Sequence, residues 1–196
     1  IAEMQQPYSH PWTGERFSFQ APTTRQSILA AAREFTSIAK PEIFSSNWFQ
    51  LGRILRTSEG FWVPPPDAKG QPITGEQTLK RLLTKDAKVK GIYLLNHDGA
   101  FAPYESFQQG VQEARQFAEG GLARALEHTP ERVAKNLEAM ARTYPGEVNV
   151  FNFDPPKEPT LTVASLGSDG VWYGGGLVVF GGNWYGGGGF AFGVRQ

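Results

Sequence analysis

The segment Val171-Trp-Tyr-Gly-Gly-Gly-Leu-Val-Val-Phe-Gly-Gly182 is followed directly by Asn183-Trp-Tyr-Gly-Gly-Gly-Gly-Phe-Ala-Phe-Gly-Val194. Segments 171–182 and 183–194 are two copies of one twelve-residue unit, sharing Trp-Tyr-Gly-Gly-Gly and a later Phe-Gly. An even repeat length keeps equivalent side chains on one face of an extended strand. Gly-Gly-Asn at 181–183 is a turn signal because Gly and Asn tolerate positive φ. The repeat therefore predicts a β-hairpin with strands near 170–180 and 184–194.

In this predicted hairpin, the glycines of each copy lie opposite bulky residues of the other. A turn at Gly182-Asn183 sets Leu177 opposite Gly188 and Phe190 opposite Gly175, an arrangement in which large side chains cover cross-strand glycines. A ribbon of two strands is only marginally stable alone, so we expect it to lie against its own domain, another subunit or lipid. The alternative is a flexible Gly-rich tail, although such linkers are usually polar.

Composition divides the chain into three parts. Between Pro159 and Val194 the only charged residue is Asp169, whereas charges are frequent before Glu158. The first 22 residues combine three prolines with four aromatic residues, which favours an extended arm over a helix. We predict an N-terminal arm at 1–22, a mixed α/β core domain at 23–158 and a Gly-rich β tail at 159–196.

Within the core domain, hydrophobic spacing and helix-start signals predict five helices and three strands. Capping boxes are expected at Thr23–Gln26 and Thr74–Gln77. The predicted helices are 23–40, 47–56, one beginning at 74, one from 103 to 128 interrupted at Gly120-Gly121, and one beginning at Thr129-Pro130; the predicted strands are 61–63, 89–95 and 147–153, with Asn96–Gly99 as a turn.

These elements predict an α+β fold. Its N-terminal two thirds is helix-rich with a small sheet, and an antiparallel Gly/aromatic-rich β-ribbon follows at the C-terminus. A competing interpretation is an α/β sandwich built on the strands 89–95 and 147–153.

Composition and motifs exclude several classes of site. The chain has no cysteine, so disulfides, thiolate zinc sites and a cysteine nucleophile are ruled out. Its net charge is zero and its Lys and Arg residues are dispersed, which argues against nucleic acid as a partner. Phosphate-loop, zinc-protease and EF-hand signatures are absent, so we predict no cofactor and no metal. No stretch reaches the roughly 18 apolar residues of a membrane helix.

One pair of residues, His97 and Asp98, is a weak candidate for catalysis or metal binding. The pair follows an apolar strand, where catalytic side chains often lie, and imidazole with carboxylate can act as a base or bind a metal. Adjacent residues normally point apart, however, and no second histidine is near in sequence. A polar turn is the preferred interpretation, so the chain is predicted to be a non-enzyme.

The two uncharged, aromatic-rich ends favour a structural or assembly subunit of a virion, secretion machine or envelope complex, because long apolar edges are hazardous in a free monomer. A virion or cell envelope is favoured over the free cytosol. The expected partners are proteins, in a homo- or hetero-oligomer, and membrane contact by the tail is left open. The predicted binding residues are Trp172, Tyr173, Phe180, Trp184, Tyr185, Phe190 and Phe192. The alternative function is a small enzyme or carbohydrate-binding module near His97, Asp98 and the tail aromatics.

Overall fold

A mixed β-sheet dominates the computed structural model of this chain. The structure describes residues 8–9, 12, 16–17, 19–20, 22–37, 48–144, 147–168, 176–182, 189–190 and 194–195. Within them, nine strands follow one another in hydrogen-bonded order, and a tenth pairs with one of the nine.

The described elements are fourteen strands, five α-helices and two short 3-10 helices. The strands are β1 (Tyr8–Ser9), β2 (Arg16–Phe17), β3 (Phe19–Gln20), β4 (Trp48–Arg56), β5 (Gly60–Val63), β6 (Lys88–Val89), β7 (Ile92–Leu94), β8 (Ala100–Pro103), β9 (Gly110–Gln112), β10 (Val148–Phe151), β11 (Thr160–Ser168), β12 (Leu177–Phe180), β13 (Gly189–Phe190) and β14 (Val194–Arg195). The helices are α1 (Thr24–Ser37), α2 (Glu76–Arg81), α3 (Ala114–Glu119), α4 (Gly121–Glu127) and α5 (Lys135–Arg142), with 3-10 turns at Lys85–Ala87 and Tyr104–Ser106.

The strand order across the sheet is β6-β7-β8-β5-β4-β11-β12-β10-β9. Every neighbouring pair in this order is antiparallel except β10 and β12, which run parallel. β13 adds to the start of β4 in parallel. Two smaller pairs, β1 with β2 and β14 with β3, involve the chain ends.

The predicted fold class is wrong, because the sheet is large and the helices are short. A sheet-dominated fold replaces the expected helix-rich N-terminal two thirds with a small sheet, and it uses both halves of the chain. The sheet also continues across the predicted boundary at Glu158, since β11 begins at Thr160 and pairs along β4.

The helix predicted at 47–56 is strand β4. Its apolar residues look helical in sequence because a bulge breaks their alternation. Ala164 pairs with Gly52 and Ser165 with Gln50, so Leu51 is an extra residue in the β4–β11 ladder. The bulge shifts the phase of the strand, and Phe49, Leu51 and Ile54 therefore all enter the main core.

The predicted C-terminal hairpin is also wrong. Its first strand, Leu177–Phe180, is β12, which pairs with β11 on one side and β10 on the other. Both edges of β12 are therefore occupied by other strands, which is not the pairing expected for Leu177–Val179. All four residues of β12 are buried, which is typical of an interior strand with a continuous apolar run.

Some local predictions are confirmed and others are wrong. The Thr23–Gln26 capping box forms, with the Thr23 N–H donating to Gln26 Oε1 at 2.9 Å and the Gln26 N–H donating to Thr23 Oγ1 at 3.3 Å. The box at Thr74–Gln77 does not form, because α2 starts after Gly75 without a side-chain cap.

Three further elements differ from the predictions. The helix expected from 103 begins only at Ala114 and is interrupted, as predicted, at Gly120. The helix expected from Thr129 begins at Lys135. The strand expected at 89–95 is split into β6 and β7 by a turn at Lys90-Gly91. The φ angles there are +46° and +92°, a left-handed conformation that glycine adopts without steric cost.

The two faces of the sheet carry separate clusters. One face forms the main core with α1, α3, α4 and α5, and Phe61 lies in it. The other carries a smaller cluster of Leu55, Trp62, Leu79, Leu95 and Phe101, in which α2 contributes Leu79. The ring centroids of Trp62 and Phe101 are 4.4 Å apart.

Candidate functional site

Most of the predicted tail binding residues lie outside the described residues. These are Trp172, Tyr173, Trp184, Tyr185 and Phe192. Phe180 lies on β12 with only 6% of its surface exposed, and its ring centroid is 4.9 Å from that of Phe151. Phe190 lies on β13, where its backbone pairs with Phe49. Phe180 is therefore packed inside its own sheet and is not available to a partner.

The predicted turn at Asn96–Gly99 is confirmed and connects β7 to β8. His97 and Asp98 have φ angles of +56° and +62°, and the Leu95 N–H donates to the Gly99 carbonyl at 2.8 Å. Left-handed backbone at both central residues suits a tight hairpin. The two side chains have different surroundings, so the turn does not bring them together as one site.

The Asp98 carboxylate joins three elements. Its Oδ2 accepts a 2.9 Å hydrogen bond from Thr23 Oγ1 at the start of α1, and its Oδ1 lies 3.4 Å from Arg25 Nη1. Oδ1 also lies 3.8 Å from Nδ1 of His128. His128 ends α4 in a left-handed conformation, and its Nε2 is 2.8 Å from the Leu95 carbonyl oxygen.

This Asp98–His128 pair was missed by the sequence reasoning, which paired Asp98 with its neighbour His97. Thirty residues separate the two partners, and the strand–turn–helix path that joins them is not visible locally. The pair resembles the carboxylate–imidazole arrangement of a general base. Here both groups hold α1, α4 and the β7–β8 turn together, so the geometry supports a structural role.

His97 instead lies at a cleft of about 480 Å³ beside α2. It makes no hydrogen bond or ion pair within the described part of the chain, and neither does Asp86 on the same lining. The cleft is lined by Pro65, Pro66, Ile73, Leu82, Thr84, Asp86, Ala87, Leu94, Leu95, Asn96 and His97. Its wall mixes apolar side chains with polar groups at which a small ligand could be oriented.

The buried charged side chains Arg124 and Glu127 form hydrogen bonds with backbone groups of neighbouring segments, and Arg124 forms three of them. Arg124 donates hydrogen bonds of 2.7 to 3.0 Å to the carbonyls of Lys90, Glu131 and Val89. Burial lowers the pKa of its guanidinium below the ordinary value. Three fixed carbonyl acceptors suit the fork of donors on arginine. The contacts tie the β6–β7 turn to the connection between α4 and α5.

A second polar cluster lies where β4 ends. Arg56 Nη1 donates to the Asn152 carbonyl at 2.6 Å, and Gln109 Nε2 donates to Asp154 Oδ1 at 3.0 Å. The hydroxyl of Tyr104 is buried without a hydrogen-bond partner among the described residues. Burial raises the pKa of Tyr104 to about 12, while Arg56 lowers it and Asp154 raises it. A tyrosine with this pKa stays protonated near neutral pH and is poorly suited to proton transfer there.

The outer strands of the sheet differ in chemistry. β9 ends one side and presents Val111, which is 57% exposed. β6 ends the other side, and Lys85, Lys88 and Lys90 lie on it or beside it, all exposed. Among the described residues, no strand pairs with the outer side of β6 or β9.

The described residues form neither a metal cluster nor a membrane-spanning helix. No group of three or more His, Asp or Glu side chains there could hold a metal ion. None of the helices in those same ranges combines the length and the apolar character needed to cross a bilayer.

Comparison of the chain with protein-family models, with curated proteins and with solved structures gives no match. Function is therefore argued from the geometry of the chain alone.

Proposed function

We propose that this protein is an assembly subunit that binds protein neighbours by extending its β-sheet. The observation that carries the proposal is edge strand β9, where Val111 is 57% exposed at the end of the sheet. An edge strand offers unpaired backbone N–H and C=O groups to an added strand.

Edge β9 is short, but it lacks the side chains that usually protect an edge against pairing. Natural sheets protect their edges with lysine, proline or bulges, whereas Gly110–Gln112 contains none of these. Its three residues pair in regular antiparallel register with β10, although Gly110 has a positive φ of +91°. An apolar side chain at this position favours association with a partner strand.

The arm at 1–22 and the tail at 159–196 are still proposed to contact neighbours, but only through the parts that do not pair with their own chain. Strands β13 and β14 return to β4 and β3 of the same chain. Trp172, Tyr173, Trp184 and Tyr185, which lie outside the described residues, stay proposed contacts with neighbours. The partners would be proteins, and a virion or cell-envelope assembly remains the favoured setting.

The test is the native mass of the parent and of Val111→Lys, measured by light scattering across protein concentration. A lysine on the edge should prevent strand addition and shift the particle to lower mass while circular dichroism stays unchanged. The control is Leu29→Lys, since Leu29 is also a partly exposed apolar residue but lies on α1.

A parent that stays monomeric at every concentration, including with the full tail present, would contradict the proposal. Equal loss of mass in Val111→Lys and Leu29→Lys would contradict the role of β9.

A second candidate function is the binding of a small ligand in the cleft beside His97. The observation that favours it is the pair of polar groups, Asp86 and His97, beside the apolar side chains of the cleft. Among the described lining residues there is no Phe, Tyr or Trp, so nothing there supports sugar stacking. Saturable shifts of the His97 imidazole signals in NMR, during titration with a library of small amines and amides, would favour this candidate. Unchanged signals would reject it.

A further inference from the structure

We infer that the partner at edge β9 is the β6 edge of a second copy of this chain, giving a head-to-tail assembly. This inference rests on the proposed function and specifies the partner. It is carried by the opposite charges that the fold places at the two ends of one sheet.

The two edges do not pair with each other within one molecule. β6 and β9 are the first and last strands of the nine-strand order, and neither pairs with the other among the described residues. Eight strand spacings of about 4.8 Å separate them along the path of the sheet. Within the described ranges, each edge can therefore receive a strand of a second copy.

The β6 edge is positively charged, which disfavours pairing with a neutral or basic edge but favours pairing with an acidic one. Lys85 precedes the strand, Lys88 lies on it and Lys90 is in the turn that follows, and all three are exposed. Within the described residues none of them forms an ion pair, although Lys88 Nζ lies 5.4 Å from the centroid of the Tyr93 ring. Asp86 is the only acidic residue between positions 80 and 90.

The β9 edge is negatively charged. Glu113 follows β9 and Glu147 precedes β10; the pairing of Gln112 with Val148 makes them cross-strand neighbours. Asp154 is held beside this edge by Gln109. These three carboxylates are exposed and form no ion pair in the described ranges. Residues 104–114 and 147–156 contain no Lys or Arg. The cations beside this edge are already engaged, since Arg56 donates to the Asn152 carbonyl and Arg115 pairs with Glu119 and Glu138.

Charge selects among the possible edge pairings. Two β6 edges would bring lysines together, and two β9 edges would bring Glu113 and Glu147 of each copy together. Like charges in contact are unfavourable, and complementary charges fix both partner and register. The β6–β9 pairing alone joins opposite charges, with Val111 inside the contact.

A contact between two different surfaces of identical subunits repeats along the assembly. Such contacts produce a closed ring or an open filament, and not a two-fold dimer. Since the charges are exposed, salt should weaken the contact.

Charge reversal tests the inference. The first variant carries Lys85→Glu and Lys88→Glu, and the second carries Glu113→Lys and Glu147→Lys. A control carries Lys69→Glu and Arg53→Glu, which change net charge as much as the first variant at exposed sites outside β6 and β9, with Arg53 on the middle strand β4. Each is checked by circular dichroism and measured by light scattering at low and high salt, alone and in equal mixture.

We expect the parent and the control to form species larger than dimers that shrink at high salt. Each edge variant alone should be monomeric, and the equimolar mixture should assemble again, because each interface then joins opposite charges. If both edge variants assemble alone as the parent does, the head-to-tail inference is overturned while the assembly function stands. A monomeric parent overturns both. A mixture of folded variants that stays monomeric also overturns the inference.

Discussion

The carboxylate of Glu127 accepts a 3.1 Å hydrogen bond from the backbone N–H of Leu137, ten residues later in the chain. The same carboxylate accepts bonds from the Asn136 backbone and side chain. These N–H groups belong to the first turn of α5, which has no side-chain cap of its own. The last residue of α4 thus performs the task that an N-cap residue performs elsewhere.

We predict that Glu127→Ala lowers the free energy of unfolding by about 2 kcal/mol, because it removes a cap and leaves buried N–H groups without an acceptor. The measurement is urea denaturation followed by circular dichroism. Glu131→Ala is the control, since it removes only an exposed pair with Lys135 and should cost less than about 0.5 kcal/mol. Equal effects for the two variants would show that the cap is unimportant.

Gly176, in the first Trp-Tyr-Gly-Gly-Gly copy, lies against the backbone of Glu147. An added Cβ would collide with the Glu147 carbonyl oxygen, which cannot move like a side chain. We predict that Gly176→Ala costs about 1–3 kcal/mol through overpacking. At Gly75 the nearest atom to an added Cβ is Thr78 Oγ1 at 3.4 Å, so Gly75→Ala should cost less than about 1 kcal/mol. Thermal melts of both variants decide this, and a neutral Gly176→Ala would contradict the packing.

Tyr104 should make stability fall at alkaline pH. Its pKa of about 12 in the folded chain lies above the ordinary value near 10. The unfolded chain therefore releases the proton first, and stability is constant below about pH 10 and decreases between 10 and 12. Tyr104→Phe should reduce this decrease and, because it removes an unpaired buried hydroxyl, leave stability at pH 7 unchanged or raised by up to about 1 kcal/mol. A destabilised Phe variant at pH 7 would reveal a hydrogen bond to the hydroxyl.

Glu138 should make the protein less stable as the pH becomes acidic. A hydrogen bond from Arg142, together with the charges of Arg142 and Arg115, lowers the pKa of this carboxyl below its ordinary value. A lowered folded-state pKa gives stability that is present above the unfolded value, near 4.3, and is lost as pH falls below it. Glu138→Gln should therefore flatten the stability profile between pH 5 and 3. Identical profiles for parent and variant would contradict the role of these arginines.

A truncation tests whether the tail belongs to the sheet. Deleting residues 159–196 removes β11 and β12, which lie between β4 and β10. We expect that truncation to abolish cooperative unfolding, whereas a chain ending at Gly182 keeps both strands and should retain a thermal transition. A folded 1–158 fragment would contradict the strand order.

Sequence reasoning succeeded where the signal was local. The Thr23–Gln26 box and the Asn96–Gly99 turn depend on residues three or four apart, and both form. It failed at β4, where one bulge at Leu51 gave a strand the spacing of a helix. It failed at β12 because Leu177–Phe180 finds its partners at 149–151 and 165–168, which an internal repeat cannot indicate. The charged edges were missed because only the strand order shows that Lys88 and Glu113 lie at opposite edges of one sheet.

The position of β12 has a consequence for how the chain is made. β10 leaves the ribosome well before β12, because each β10 residue precedes its β12 partner by 29 residues, as Asn149 precedes Val178. At about 5–20 residues per second, this gap lasts roughly 1.5 to 6 s. During that time the inner edge of β10 has no neighbouring strand, and β9 and β10 remain separate from the rest of the sheet. The nascent protein is therefore exposed to aggregation until β12 emerges, and a chaperone that holds β10 at this stage should raise the yield of native protein.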